Sequence, residues 1–582
     1  MIDLLARDAA SRFGIAAVLE TEKIPYRPVA TVGDATGPLV VATHDLSEAE
    51  IAALDGRAAL VLHGGERFAR AMLGAAGATD VERAATLPVD AALWPASSVA
   101  LARELGKETL RLPPAPVCKV SAITRGRVLA TLADGAPALA AHGRCLWSAI
   151  DLGAAFTNLL TERAVPVRHE SAAASPIRVA ARRLVEHAYY AAPEAMRRRV
   201  QRRWYAALER RLEGLGDAAS EYPIDTCGWL LTELVTALVR RVAGGLVRVA
   251  RWPAPYRAAA TLTHDVEPRR FAYTRGLSAL LDAAAASGHA ATFGLVARSS
   301  TRWLDDAAVA RLGTHGVLCH GLAHRGENVC GRDDVRRDVE TARSELERRL
   351  ARPVRGYRSP RLDRSPDLLW ALDQAGFSFD SSYPDVDREN IAHFGGGVRV
   401  NVPYRPPIAS DAGALRPSRC LELPLTAPDC IQPLFGGTSI AELRAQVAAK
   451  ASYLRATGGL YVALVHGGVF GADDQARRTA HLEFVAGELR RPDVWLARAE
   501  DVADWWCRRE ALRVADDATG LRVTNDGTQA ISGARVIIER EGGERSIDLP
   551  PLAPGATITI TSDGPSSAPS LTAPRTRALP AA

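Results

Sequence analysis

The run AATLTHDVEPRR, residues 259–270, passes from an apolar stretch directly into Thr263, His264, Asp265, Val266 and Glu267. A short apolar run bounded this way reads as a buried β-strand, so an imidazole and two carboxylates crowd its C-terminal end. A second cluster lies in CHGLAHRG, residues 319–326, where His320 and His324 stand four positions apart. On a helical turn that spacing brings two imidazoles to one face, close enough to share one ion. One added carboxylate makes a two-histidine, one-carboxylate set with positions left open to water and substrate, which suits metal-assisted hydrolysis. Arg358 in VRGYRSP, Asp380 with Ser381 in FSFDSSY, and His466 in LYVALVHGG also follow apolar runs.

Eight such runs, AAATLTHDV, ATFGLVA, HGVLCHG, VRGYRSP, FSFDSSY, CLELPLT, LYVALVHGG and VWLARAE, alternate with helical stretches such as RDDVRRDVETARSELERRLA. The alternation predicts a (β/α) barrel over residues 251–512. In a barrel the C-terminal strand ends line one mouth, and the five polar clusters all fall there.

Around the barrel the pattern changes. Residues 1–165 alternate PLVVAT, AALVLHG, RVLATL and ALAAHGRCLWSAID with alanine-rich helical text, which predicts a separate α/β domain. Its VLHGGE, residues 61–66, lacks the lysine of a phosphate loop and the spacing of a dinucleotide fingerprint, so a tight turn is expected. The domain faintly resembles a glutamine-amidotransferase-like unit, but no cysteine occupies the nucleophile position, and a non-catalytic role is expected. Residues 166–250 read as a helical connector. Residues 513–565 alternate with period two and predict a small antiparallel β-sandwich without tryptophan or tyrosine to stack on sugar rings. Residues 566–582 read as a disordered tail.

With 582 residues the chain is too long for one core, and 47% hydrophobic against 24% charged residues describes a folded globular protein. A net charge of +5 without a basic cluster gives no support for nucleic-acid binding. The most apolar segment, residues 228–250, contains Glu233, Arg240 and Arg241, which oppose a membrane span. The first residues lack the basic-then-apolar order of a signal peptide, so a cytoplasmic location is expected. Eight cysteines without CxxC spacing are expected as reduced thiols.

Taken together, LTHDVE, HGLAH, RSP, FDSS and LVH resemble, in order and spacing, the polysaccharide deacetylase family, the chitooligosaccharide deacetylase homology domain of metal-dependent carbohydrate esterases. The resemblance covers roughly residues 255–510. It implies a (β/α) barrel that removes N-acetyl groups from an amino sugar or glycan. Asp265 would be the general base, His466 the general acid, and His320 and His324 metal ligands. Arg358 would orient the base and Asp380 would support the histidine. One divalent ion is implied, zinc in first place and cobalt or another ion as alternatives.

Two departures from the family pattern bear on substrate. The usual pair of adjacent aspartates is here Asp265 and Val266, so Glu267 becomes the expected third ligand, since valine cannot bind a metal. This Asp-x-Glu order resembles one branch of the family. Family members also hydrolyse ureides and cyclic imides, so an amidohydrolase on a small metabolite is a second reading. Arg361 follows Pro360, and both are expected to border the substrate, with the arginine favouring an acidic sugar. Plainer readings compete throughout: a solvated strand end or helix cap for Asp265 and Glu267, a structural pair for the two histidines, and a turn histidine for His466. Asp380 could cap a turn, with Asp385 and Asp387 as rivals, Arg358 could serve only an ion pair, and Cys319 reads as a small buried residue. A carbohydrate-binding barrel without activity is the third reading.

Overall fold

A computed structural model describes residues 1–163, 192–213, 221–324, 331–387, 396–409, 414–427, 438–466, 472–517, 520–540 and 543–561, with isolated positions between them. Eight parallel strands form one curled sheet at the centre: β1 (Ala258–Val266), β2 (Thr292–Leu295), β3 (Gly316–Cys319), β4 (Gly356–Tyr357), β5 (Phe379–Asp380), β6 (Leu421–Glu422), β7 (Leu460–Leu464) and β8 (Val494–Leu496). Each lies within one of the eight runs singled out in the sequence. The order is β6-β5-β4-β3-β2-β1-β7, with β8 also on β1.

The ring is therefore not the regular eight-strand closure expected. Residues 263–266 of β1 pair with β2, whereas residues 258–260 pair with β8. Between β6 and β7 the chain closes by one side chain: the Thr426 hydroxyl donates to Leu460 O at 2.7 Å and accepts from Val462 N at 2.8 Å. Ala427 N adds a bond to Val462 O at 3.1 Å. β1 is buried along its whole length, as a strand covered on both faces must be. Trp252, Trp506, Phe379 and Leu460 belong to one apolar cluster beneath the mouth.

The N-terminal region is an open seven-stranded sheet. Ile2–Ala6, Tyr26–Pro28, Leu39–Thr43, Ala59–His63 and Cys145–Ser148 run parallel, and two antiparallel strands, Pro137–His142 and Arg127–Thr131, extend one edge. The tight turn expected at 61–66 is present, with His63, Gly64 and Gly65 all at positive φ between strand and helix. A long hairpin, Thr79–Pro88 with Thr109–Lys119, was not legible in the sequence.

Two expectations about the flanks need correction. Residues 246–249, inside the stretch expected to be wholly helical, form a strand that pairs antiparallel with Arg535–Arg540. It thereby completes a three-stranded sheet facing the sheet of Leu512–Asp517, Gly520–Asn525 and Ala556–Thr561. The sequence LVRV alternates with period two, and its apolar Val247 and Val249 are buried in the same cluster as Val536 and Ile558. Ser570–Leu571, in the stretch expected to be disordered, pairs with Ala556–Thr557; most of the remaining tail lies outside the described residues.

Half-buried arginines join the parts. Arg248 donates from Nε to Glu539 Oε1 at 2.8 Å and from Nη1 to Glu22 Oε2 at 3.4 Å, so the strand 246–249 bonds to both the first domain and the C-terminal sheets, and Arg251 just beyond it donates from Nε to Glu22 Oε1 at 2.9 Å. Among the described residues no helix is long and apolar enough to cross a membrane. The segment 228–250 supplies a helix, Cys227–Ala243, with Leu230, Leu231, Leu234 and Leu238 buried.

Because the Thr426 hydroxyl both donates and accepts across the β6–β7 seam, Thr426→Val leaves a carbonyl and an amide unpaired. Urea unfolding is expected to show a loss of about 1–3 kcal/mol; an unchanged midpoint would mean that the seam is closed by other contacts.

Candidate metal-hydrolase site

Four strand ends converge at the mouth. Asp265 and Glu267 come from the end of β1, His320 and His324 follow β3, Arg358 follows β4, and His466 follows β7. Gly294 on β2 makes room for the first of these. A Cβ there would lie 2.5 Å from Asp265 Oδ1, so only a glycine admits the carboxylate.

Arg358 has no exposure to solvent, and the structure fixes each part of its fork. Nη1 donates to Thr263 Oγ1 at 2.7 Å and Asp265 Oδ1 at 3.3 Å, Nε to Ser381 O at 2.9 Å, and Nη2 to Ser381 Oγ at 2.8 Å. Burial would raise the Asp265 pKa, but the neighbouring His320 imidazole, the Arg358 guanidinium and the His466 imidazole outweigh it and hold the carboxyl below its ordinary value. Asp265 is thus an ionised carboxylate in a dry place.

The Arg358 carbonyl accepts from His320 Nδ1 at 3.0 Å. A carbonyl cannot donate, so Nδ1 carries the proton and Nε2 is left with its lone pair directed at the mouth, 3.7 Å from Asp265 Oδ2. Burial lowers the His320 pKa and keeps the ring neutral, as a metal ligand must be. His324 sits at φ 59°, a left-handed conformation uncommon outside glycine, with its ring centroid 5.0 Å from that of His320. Its Nε2 is 3.7 Å from Glu267 Oε2, while Glu267 Oε1 is 3.6 Å from His466 Nε2.

Glu267 Oε2 and His324 Nδ1 are buried without a hydrogen-bond partner. Among the described residues no three histidine, cysteine, aspartate or glutamate side chains stand close enough together to hold a metal ion as they are placed. Separations of 3.6–3.7 Å are too long for hydrogen bonds, and the His324–Glu267 pair is spaced as two ligands of one ion with bonds of about 2.1 Å would be. Two imidazoles and a carboxylate with one orphaned oxygen are the donor types a divalent ion takes.

Asp380 is placed differently from expectation. Its Oδ1 accepts from Ser382 Oγ at 2.6 Å, and in the parallel register of β5 and β6 it stands directly opposite Glu422, with which it also shares a hydrogen bond, not against a histidine. Burial pushes the Asp380 carboxyl up to about 6 and the Glu422 carboxyl well above its ordinary value, the two carboxyls sharing a site into which a second negative charge does not fit. Glu422 was missed in the sequence, where an acid inside the apolar run CLELPLT was the available signal. Pro360 is buried, and Arg361, beside it at φ 57°, donates from Nη2 to Asp363 Oδ2 at 2.6 Å. That pairing compensates the charge expected to favour an acidic sugar. Asp385 pairs with Lys450 and Asp387 with Arg364, so neither rival for the Asp380 role faces the mouth histidines. His264 is a buried structural ring whose Nδ1 donates to Val465 O at 2.8 Å. Gly467 and Gly468 lie outside the described residues.

No protein-family model and no curated protein matches the chain. Solved structures similar to it include a protein from Mycobacterium smegmatis described as a polysaccharide deacetylase, at 22% identity and TM-score 0.35, spanning 44% of this chain and 91% of that one. Another, from Pseudomonas aeruginosa PAO1 and described likewise, has 19% identity and TM-score 0.37 over 45% of this chain and 94% of its own. A Puue allantoinase has 16% identity and TM-score 0.36 over 44% and 93%.

A carboxyl raised on folding binds a proton that the unfolded chain has released, so the Asp380–Glu422 pair makes stability fall as pH rises from about 4 through 6. Glu422→Gln removes one of the two acids. Thermal unfolding is expected to show a smaller loss between pH 5 and pH 8 in the variant than in the native chain; equal losses would mean that the pair holds no extra proton.

Proposed function

We propose that the chain is a metal-dependent hydrolase that removes the N-acetyl group of an amino sugar, free or within a glycan. The observation that carries this reading is the convergence of Asp265, Glu267, His320, His324 and His466, with imidazole nitrogens and carboxylate oxygens 3.6–3.7 Å apart. Glu267, His320 and His324 would hold the ion, and two imidazoles with a carboxylate favour zinc, with cobalt as the alternative. Such an ion, when bound, polarises the acetamide carbonyl and lowers the pKa of water.

The chain's own residues supply the proton transfers. Asp265, kept ionised beside Arg358 and His320, takes a proton from water as the water oxygen adds to the acetamide carbon. His466, facing Glu267 Oε1, gives a proton to the nitrogen as the C–N bond breaks, and acetate and a free amine leave. Arg358 reaches no substrate; it holds Asp265 charged and aimed. Pro360 and Arg361 would border the substrate, as the family resemblance implies.

Val266, buried between the two acids, favours a second reading. The longer arm of Glu267 in place of an adjacent aspartate would shift the ion, which suits a different non-peptide C–N bond, in a ureide or cyclic imide.

Elemental analysis after reconstitution is expected to give about one divalent ion per chain, lost in His320→Ala and Glu267→Ala. Metal-loaded chain is expected to release acetate from a panel of N-acetylated sugars, with kcat down roughly 10²- to 10⁴-fold in His466→Ala. Turnover of a ureide or imide without acetate release would select the second reading. A chain that takes up no ion would remove both and leave a carbohydrate-binding barrel.

A further inference from the structure

Arg361 and Leu362, consecutive residues at the mouth, both lie in the left-handed region, at φ 57° and 56°. For residues with a Cβ this conformation is unfavourable, so the surroundings must impose it. Two local bonds close the turn: Leu362 N donates to Ser359 O at 3.0 Å and Asp363 N to Pro360 O at 3.1 Å. The anchor is the next arginine. Arg364 Nη1 donates to Leu362 O at 2.8 Å, and the rest of its fork is taken by Glu162, with Nε to Oε2 at 2.9 Å and Nη2 to Oε1 at 2.7 Å. Nη2 also donates to Asp387 Oδ2 at 2.7 Å, and Gly397 N to Glu162 Oε1 at 3.2 Å.

Glu162 belongs to the first domain. It follows the helix Leu152–Leu160, itself at φ 54°, and its side chain is 4% exposed against 1% for Arg364. A bidentate carboxylate–guanidinium pair with no water access is the strongest and most directional form of this contact. Removing Glu162 leaves the buried guanidinium with Asp387 as its one remaining carboxylate among the contacts described.

We infer that Glu162, reaching in from the N-terminal domain, is a positioning residue for the substrate wall: through Arg364 it sets the Ser359–Asp363 turn that borders the mouth. The substrate half of this inference rests on the hydrolase reading; the turn-setting half does not. The α/β domain then contributes to the site without supplying a group that touches the reacting atoms.

The test is amide hydrogen exchange on the full-length, metal-free chain carrying Glu162→Ala or Glu162→Gln, the latter keeping the shape and one acceptor oxygen. Exchange at Leu362 and Asp363 is expected to speed by about tenfold or more in Glu162→Ala and by less in Glu162→Gln, with residues 258–266 of β1 unchanged. On whichever amide the native chain hydrolyses, KM is expected to rise about tenfold with kcat within about twofold. Native exchange at 362–363 in both variants, or equal acceleration at 258–266, would overturn the inference. Faster exchange with an unchanged KM would overturn its substrate half. Exchange needs no substrate, so a failed hydrolase reading leaves this result standing.

Discussion

A guanidinium sealed from water must find every acceptor inside the protein, and Arg358 finds them on β1 and just beyond β5. It bonds to Thr263 and Asp265 of β1 and to Ser381 beyond β5, its own amide donates to Cys319 O of β3, and its carbonyl fixes the tautomer of His320. The interior arrangement of the mouth follows from that requirement. An uncompensated cation there would be intolerable, so Asp265 stays ionised and pointed inward. With Asp265 ionised, the neutral Nε2 of His320 has a fixed place to face.

The same logic separates the acids by environment. Asp265 lies beside a cation and is held charged, whereas Asp380 and Glu422, one strand step away from the arginine's other side, have no cation of their own and are pushed toward protonation. Glu267 stands apart from both: its two oxygens face two different imidazoles, His324 at 3.7 Å and His466 at 3.6 Å, too far for hydrogen bonds.

Much of this was legible because it is local. The eight apolar runs contain the eight strands, and the polar residues that follow β1, β3, β4 and β7 stand together, while Asp380 after β5 turns to Glu422. The strand at 246–249 was hidden by neighbouring helix formers, and only its valine-arginine-valine alternation hinted at a sheet. What depends on distant pairing was not legible at all. Glu162 and Arg364 are 202 positions apart, Thr426 acts on a strand more than thirty residues later, and Asp380 found Glu422 rather than a histidine because parallel register, not motif order, decides who stands opposite whom. Composition carries none of these pairings.

β1 has a further consequence through its neighbours in time. Its first three residues wait for Val494–Leu496 and its other edge waits for Leu460–Leu464, although β2 follows at once. Ribosomes add about 5–20 residues per second, so the interval between the emergence of β1 and that of β7 is roughly 10–40 s. Throughout it a nine-residue strand that the finished fold buries along its whole length has one unpaired edge, the kind of surface that recruits other chains. The residue that the hydrolase reading makes the proton donor arrives on the strand that covers this edge, so the mouth can be completed only after the barrel's main aggregation hazard has been removed.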